Sequence, residues 1–319
     1  MVELLSIMLT VIAPIMTIMG LAFIIGRRFN PDPRSLSVYL IYLFTPALVF
    51  SGIYTTDLSG GEIGGIAIVV VGVALAQMII GTGIARGLKY NDRQEASLVL
   101  TIILVNAANY GIPLNTFAFG AEGESAAIVY YVISALVGNT LGVYFASRGS
   151  VSAREAVANV FKVPIAYAAV IALILNVMNI ELPLIIKRSV IDIAAPASIP
   201  VMLALLGLQL SRLRFGKNNE DADDTPSLAD TWQPVLLASG LRLLVAPFIA
   251  LALVTIVGLS GVSYKVAIIE SSMPTAVLAS ALATQFGADA KYVSAVTLVT
   301  TLASIGTLSI LILLLGGVA

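Results

Sequence analysis

The sequence predicts an all-α polytopic membrane protein, with ten transmembrane helices arranged as two inverted five-helix repeats and with crossed, broken helices four and nine. Three observations predict it. The composition is too apolar for a water-soluble fold, the chain contains ten apolar runs of membrane-spanning length, and prolines recur at matching places in its two halves.

Of the 319 residues, 59% are hydrophobic and 11% charged, with a mean hydropathy of +1.00, whereas a typical soluble domain has about 45–50% apolar and about 25% charged residues. A soluble fold of this size cannot hide that much apolar surface, so soluble enzymes are excluded and the lipid bilayer is an expected partner. With 17 basic against 18 acidic residues there is no cationic field to draw a polyanion, so no nucleic-acid partner is expected. Cys and His are both absent, which removes disulfides, thiolate metal sites and the commonest general base.

A transmembrane helix needs about 20 mostly apolar residues. Runs of that kind cover 5–26, 36–54, 63–85, 95–119, 124–146, 161–180, 190–211, 234–257, 264–286 and 291–316. The first has Glu3 in front and ends on Arg27 and Arg28, so it reads as a retained span and not as a signal peptide. The odd-numbered connections hold 13 of the 17 basic residues (Arg27, Arg28, Arg34, Arg86, Lys89, Arg93, Arg148, Arg154, Lys162, Arg212, Arg214, Lys217 and Lys291). The positive-inside rule then places those connections in the cytoplasm and both termini outside. The polar stretch 211–230, with Glu220, Asp221, Asp223 and Asp224, reads as a solvated cytoplasmic connection.

Prolines inside the spans act as a ruler for an internal repeat. Pro14 corresponds to Pro164 at an offset of 150, Pro46 to Pro200 at 154, and Pro113 to Pro274 at 161. Each half, 1–150 and 151–319, then holds five helices, and an odd number forces the second half to enter the membrane from the opposite side.

Spans four and nine carry the chemistry. Span four reads Asn106-Ala107-Ala108-Asn109-Tyr110-Gly111-Ile112-Pro113-Leu114-Asn115, and span nine Glu270-Ser271-Ser272-Met273-Pro274-Thr275, at corresponding depths. Pro113 has no amide hydrogen for the carbonyl of Asn109, and Pro274 none for that of Glu270. Interrupted helices are tolerated at membrane depth only where protein or a water-filled cavity surrounds them. Two such breaks meeting near the midplane offer carbonyl and side-chain oxygens to a cation and helix N-termini to an anion. The expected substrate-binding residues are Asn109, Tyr110, Gly111, Pro113, Asn115, Pro274 and Arg242.

An ionised carboxylate at this depth costs several kcal/mol unless it is paired or protonated, which marks Glu270 as the residue that couples a cation or a proton. Gln77, the other midplane amide, and Asn139 read first as helix-to-helix hydrogen-bonding groups, and with Ser271 and Met273 they are the remaining members of the expected coupling set. Ser134 and Thr140 in span five, with Thr297, Thr300, Thr301 and Ser304 in span ten, read first as helix-packing hydroxyls, as Gly138-x-x-x-Gly142 reads as a close-packing motif. Arg242 either neutralises a substrate carboxylate, pairs with Glu270, or snorkels toward the cytoplasm.

The Asn-Tyr-Gly-Ile-Pro stretch at 109–113, the run Pro200-Val-Met-Leu-Ala-Leu-Leu-Gly207-Leu-Gln-Leu210, and Glu270-Ser-Ser-Met-Pro274 followed by a Ser- and Thr-rich last helix together resemble the auxin efflux carrier family in its short prokaryotic form. The resemblance spans essentially the whole chain. It implies the crossed-helix fold shared with bile acid/sodium symporters and sodium/proton antiporters. Spans one, two, six and seven would form a scaffold, as a homodimer, and spans three to five and eight to ten a moving transport domain in the plasma (inner) membrane. It also implies a small organic anion as substrate, with the connection of only about 20 residues at 211–230 pointing to microbial carboxylates such as malate or malonate rather than auxin. By similarity, Glu270 with Gln77 would be a sodium site, so sodium or a proton is the expected coupling ion, and no other cofactor is expected. Span five lacks the adjacent acidic pair of the antiporters, which disfavours cation exchange. The rivals are uncoupled, potential-driven export of the anion and, from another class, a membrane anion receptor. An intramembrane enzyme would have to rest on Glu270 and the adjacent serines alone.

Overall fold

Proline sets the local shape of these helices. The computed structural model describes residues 2–142, 164–213 and 227–317. Within them, a widened turn closed by an i to i+5 hydrogen bond stands directly before Pro14, Pro46, Pro113, Pro196 and Pro247, over Met8–Ile12, Leu40–Phe44, Ala107–Gly111, Lys187–Ala194 and Leu241–Val245 respectively. In each case proline then takes the second position of the helix that follows. The cause is steric, because a proline ring collides with the carbonyl four residues back and offers it no hydrogen. Widening that turn moves the carbonyl aside and lets the chain continue with a bend.

This geometry changes one proline pairing. Pro200 lies inside a helix without a widened turn before it, whereas Pro196 follows one as Pro46 does, at the same 150-residue offset as Pro14 and Pro164.

The helices are α1 (Val2–Phe29), α2 (Pro33–Tyr54), α3 (Gly60–Gly87), α4 (Asp92–Ile103), α5 (Ala107–Gly142), α6 (Pro164–Val177), α7 (Leu184–Arg212), α8 (Trp232–Val257), α9 (Gly261–Ser271), α10 (Leu278–Gln285) and α11 (Ala290–Leu314). Among the described residues, α1, α2, α3, α5, α7, α8 and α11 are long and apolar enough to cross a membrane, which makes seven. The run expected as span four is divided into α4 and the first part of α5, and that expected as span nine into α9 and α10. Inside α5, Gly120 has φ 66° and ψ −153°, a conformation open to glycine, so α5 is two helices joined at a kink. Arg148, Arg154, Lys162, Arg214 and Lys217, which carry part of the charge argument, lie outside the described residues.

Helix starts are written locally. Ser59 and Glu62 cap α3 reciprocally, Asn91 and Gln94 do the same for α4, and the Asp289 carboxylate accepts the Tyr292 amide at 3.1 Å to start α11. Helix α1 packs extensively along α7, and α6 packs on α2. Gly207 makes the first contact work, since a Cβ there would overlap the backbone carbonyl of Met19.

The polar and apolar surfaces are inverted relative to a soluble protein. Leu5, Leu9, Leu21 and Ile24 of α1 are exposed, while Gln77, Asn115, Arg242, Glu270 and Thr300 are fully or almost fully buried. That distribution suits a lipid surround, in which interior polar groups must find partners within the protein.

Candidate functional site

The two interruptions lie against each other. Between α4 and α5, Leu104-Val105-Asn106 leaves helical geometry, and between α9 and α10 so does 272–277. Val105 and Thr275 form an antiparallel bridge, in which the Asn106 amide donates to the Pro274 carbonyl at 2.9 Å and the Ala276 amide to the Leu104 carbonyl at 2.8 Å. Each break thereby satisfies backbone groups that the other exposes, which is the condition for irregular backbone at this depth.

In the first half the break is not at the proline. Pro113 sits seven residues beyond Asn106, at the second position of a helix whose widened turn has already absorbed it. In the second half Pro274 is within the break, but the Glu270 carbonyl is not free. The Met273 amide donates to it at 3.2 Å, because the chain folds back in a tight turn before the proline is reached.

Three carbonyls at the breaks are collected by Arg242. This side chain, 2% exposed, donates from Nε to the Met273 carbonyl at 2.8 Å, from Nη1 to the Ile102 carbonyl at 2.7 Å, and from Nη2 to the Ser271 carbonyl. Ile102 is in the last turn of α4 and Ser271 ends α9. Arg242 is therefore neither snorkelled to a surface nor ion-paired with Glu270. It also borders a cavity of about 20 Å³ with Tyr130 and Ser134, room for about one water.

Glu270 is fully buried. Its Oε1 accepts from Asn115 Nδ2 at 2.9 Å, and the same amide nitrogen donates to the Gly111 carbonyl at 3.0 Å. Glu270 Oε2 and Asn115 Oδ1 are both buried without a hydrogen-bond partner. Two buried, unpartnered acceptor oxygens on neighbouring side chains are groups that a proton or a hard cation could satisfy. The expected partner Gln77 is turned elsewhere, its Nε2 donating to the Leu241 carbonyl at 2.9 Å, although its own Oε1 is unpartnered. Among the described residues no cluster of three or more acidic groups could hold a metal.

Beside the breaks lies a cavity of about 630 Å³. Its walls include Asn106, Ala108 and Asn109 from the start of α5, and Ala276, Val277, Leu278, Ser280 and Ala281 from the start of α10. Opposite stand Thr45 of α2 and Leu205, Gln209 and Arg212 of α7, and Pro33 and Arg212 mark the face it reaches. No Asp or Glu is in this lining. Asn106 Nδ2, Gln209 Oε1 and the Ser280 hydroxyl are buried polar atoms without partners.

A cavity beside two helix interruptions, in so apolar a chain, is compatible with a carrier, and comparison with known proteins decides the family. The profile of a family described as "membrane transport protein" matches residues 7–152 and 151–312. The chain belongs to that family. It is the auxin efflux carrier family that the motifs of spans four, seven and nine resemble. The protein is thus an integral membrane transporter and not a member of an enzyme class.

Two relatives of this membrane transport protein are archaeal. It is 28% identical over 289 residues to an "uncharacterized transporter" of Methanothermobacter thermautotrophicus, covering 89% of this chain and 90% of that protein. It is 27% identical over 235 residues to an "uncharacterized transporter" of Methanocaldococcus jannaschii, covering 72% of this chain and 70% of that protein.

Of the residues expected to bind substrate in this transporter, Asn109 lines the large cavity. Tyr110 is buried in an apolar cluster with Ile7, Val11, Leu206 and Ile269. Gly111 and Asn115 face Glu270, Pro113 is buried, Pro274 contributes its carbonyl to the bridge, and Arg242 holds the helix ends. Of the coupling set, the Ser271 hydroxyl shares a 3.0 Å hydrogen bond with Tyr130, and the Met273 carbonyl is the one bound by Arg242. The side chain of Asn139 lies outside those described. In α11, Thr297, Thr301 and Ser304 return their hydroxyls to their own helix, and Thr300 Oγ1 does so as well while accepting from the Thr275 amide at 3.2 Å.

Asn106, Gln209, Arg212 and Ser280 line the cavity without being among the site residues expected from the sequence. The signal available for Gln209 was an amide inside an otherwise apolar run.

Proposed function

We propose that this transporter is a secondary active carrier of a small organic anion, a carboxylate, bound where spans four and nine cross. One observation carries the reading: the first turns of two helices and an arginine wall a 630 Å³ cavity that holds no carboxylate of its own. Each helix N-terminus carries about half a positive charge, and ligand pockets occupy about 300–1,000 Å³. The site therefore prefers a small anion. Asn106 and Asn109 supply donors of fixed direction, and Arg212 a charge at the cavity's mouth.

In this reading the chain makes ten spans in two inverted repeats, α4 with the first part of α5 and α9 with α10 being the crossed, broken pair. The Pro14/Pro164 and Pro46/Pro196 offsets support the repeat. Spans one, two, six and seven form the scaffold and the homodimer contact, and spans three to five and eight to ten move against it like an elevator. The cavity wall divides along that line, with Thr45, Leu205 and Gln209 on one side and the two breaks on the other. The charge bias sets the cavity's open face in the cytoplasm and both termini outside the plasma membrane.

Glu270 and Asn115 hold the coupling ion, sodium or a proton, between their unpartnered oxygens. Occupancy cancels the carboxylate's charge beside the positive ends of the half-helices, and so favours an anion in the cavity. One observation favours the uncoupled alternative, potential-driven export: Glu270 is sealed from the cavity and absent from its lining.

Uptake of labelled malate, malonate and indole acetate into proteoliposomes, with sodium and proton gradients imposed separately, decides between them. Gradient-driven accumulation that disappears in Glu270→Gln supports coupling. Flux driven by membrane potential alone and unchanged in that variant makes the glutamate structural, and absence of flux for every carboxylate overturns the substrate class.

A further inference from the structure

Four helix ends converge at the breaks, and the structure treats them unequally. The two C-terminal ends, α4 at Ile103 and α9 at Ser271, each carry about half a negative charge. Together these are matched by the single positive charge of Arg242, which touches both through the carbonyls of Ile102 and Ser271 and reaches into the second break through that of Met273. The two N-terminal ends, α5 at Ala107 and α10 at Leu278, face the cavity, whose lining offers no side-chain carboxylate.

The donor is itself held in place. Arg242 lies in the widened turn Leu241–Val245 before Pro247, and the Leu241 carbonyl accepts both the Ala246 amide of that turn and Gln77 Nε2 from α3. The guanidinium is planar, so three carbonyls in fixed directions pin both helix ends relative to each other. An ammonium offers charge without that fork.

We propose that Arg242 is a positioning residue for transport. Its guanidinium clamps the C-terminal ends of the two broken helices and thereby sets the spacing of the two N-terminal ends that wall the cavity. The proposal rests on the reading of that cavity as the anion site, and its test has an arm that does not depend on it.

The chain has no cysteine, so a pair introduced as Val105→Cys and Thr275→Cys reports on the bridge alone. Antiparallel bridge partners have Cα atoms about 4.5–5.5 Å apart, within disulfide reach. Oxidative cross-linking of this pair is compared with Arg242 intact, as Arg242→Lys and as Arg242→Met, and carboxylate uptake is measured in the same Arg242 variants without the cysteines. The expected result is a cross-linking rate reduced at least fivefold in Arg242→Met and intermediate in Arg242→Lys. KM for the anion rises in the same order, while the maximal rate changes less. Cross-linking at the rate of the parent pair in both variants overturns the clamp, whatever uptake does. Slowed cross-linking in a protein whose parent transports no carboxylate upholds the clamp and removes only the anion reading. Where Arg242→Met fails to give a monodisperse protein, Arg242→Lys decides: cross-linking slower than the parent upholds the proposal, and an unchanged rate overturns it.

Discussion

Gly111 and Glu270 are in contact without a side chain between them: the Cα of Gly111 faces the carboxylate so closely that any Cβ at 111 would overlap both carboxylate oxygens. Glu270 is fully buried and already hydrogen-bonded to Asn115, so its carboxylate cannot turn out to solvent and must give up that bond to make room. Gly111→Ala is expected to push the carboxylate off Asn115 Nδ2. The cost is that of overpacking, about 1–3 kcal/mol, with ion-coupled uptake lost. Thermal unfolding in detergent and uptake measured side by side check this, and normal uptake in Gly111→Ala would remove Glu270's placement from the mechanism.

Asn115 makes the complementary test. Its Nδ2 serves both Glu270 Oε1 and the Gly111 carbonyl. Asn115→Leu keeps the volume and removes the donor, leaving the carboxylate without its only partner among the described residues. A loss of about 1–3 kcal/mol is expected for a buried group so stranded, and Glu270→Gln combined with it should recover part of that loss because an uncharged amide is cheaper to strand. Stabilities that simply add in the double variant would show that the two side chains do not act together.

How much of this was legible in the sequence differs residue by residue. Glu270 stood out because a carboxylate inside an apolar run is costly by itself, and the Ser59/Glu62 and Asn91/Gln94 caps were within reach because capping is local. The prolines pointed to the two stretches where helical geometry lapses but misplaced one of the lapses. Widening a turn is a local remedy that absorbs Pro113, whereas Leu104-Val105-Asn106 stays open only because 274–276, far away in the chain, pairs with it. Arg242 was equally opaque. Its partners are backbone carbonyls 140, 29 and 31 residues distant, and a carbonyl carries no residue identity by which a sequence could announce it.

The contact of α1 with α7 depends on glycine in the same way as the carboxylate does. A Cβ at Gly207 would overlap the Met19 carbonyl, which is backbone and cannot rotate away. Gly207→Val should therefore separate the two helices at a cost of about 1–3 kcal/mol, whereas Gly83→Val, where a Cβ meets nothing within 4 Å, should be far milder. Unfolding midpoints of the two variants in the same detergent check the contrast, and equal losses would mean that the glycine serves no close approach.

Asp289 joins three segments at one end of the molecule. Its carboxylate accepts from the Tyr292 amide, from the Ser227 hydroxyl at 2.8 and 2.9 Å and from the Leu228 amide at 2.8 Å, while its own amide donates to Ser97 Oγ at 2.7 Å. Asp289→Ala removes the cap of α11 and strands the Leu228 amide, so about 1–3 kcal/mol of stability should be lost. Cleavage by an added protease near Ser227 should quicken at the same time, because the turn that resumes at 227 loses its tie to α11. Unchanged cleavage would mean that the Lys291–Asp230 ion pair, at 2.6 Å, is sufficient to hold it.

Ala108 tests the cavity without touching the groups that hold the breaks together. It lines the 630 Å³ space on the first turns of α5, and its methyl group is only partly buried. Ala108→Trp should place an indole into space the substrate needs, so uptake should fall at least about tenfold, the equivalent of about 1.4 kcal/mol. Stability should change by about 0.5 kcal/mol or less, as for a substitution that neither opens a core cavity nor breaks a hydrogen bond. Glu270 is not part of this lining, so any protection of Glu270 from a carboxylate-modifying carbodiimide should match the parent's. Full uptake with the indole in place would show that the anion does not pass through this cavity, and the positive ends of the two half-helices would then have to be explained by something other than a carried ligand.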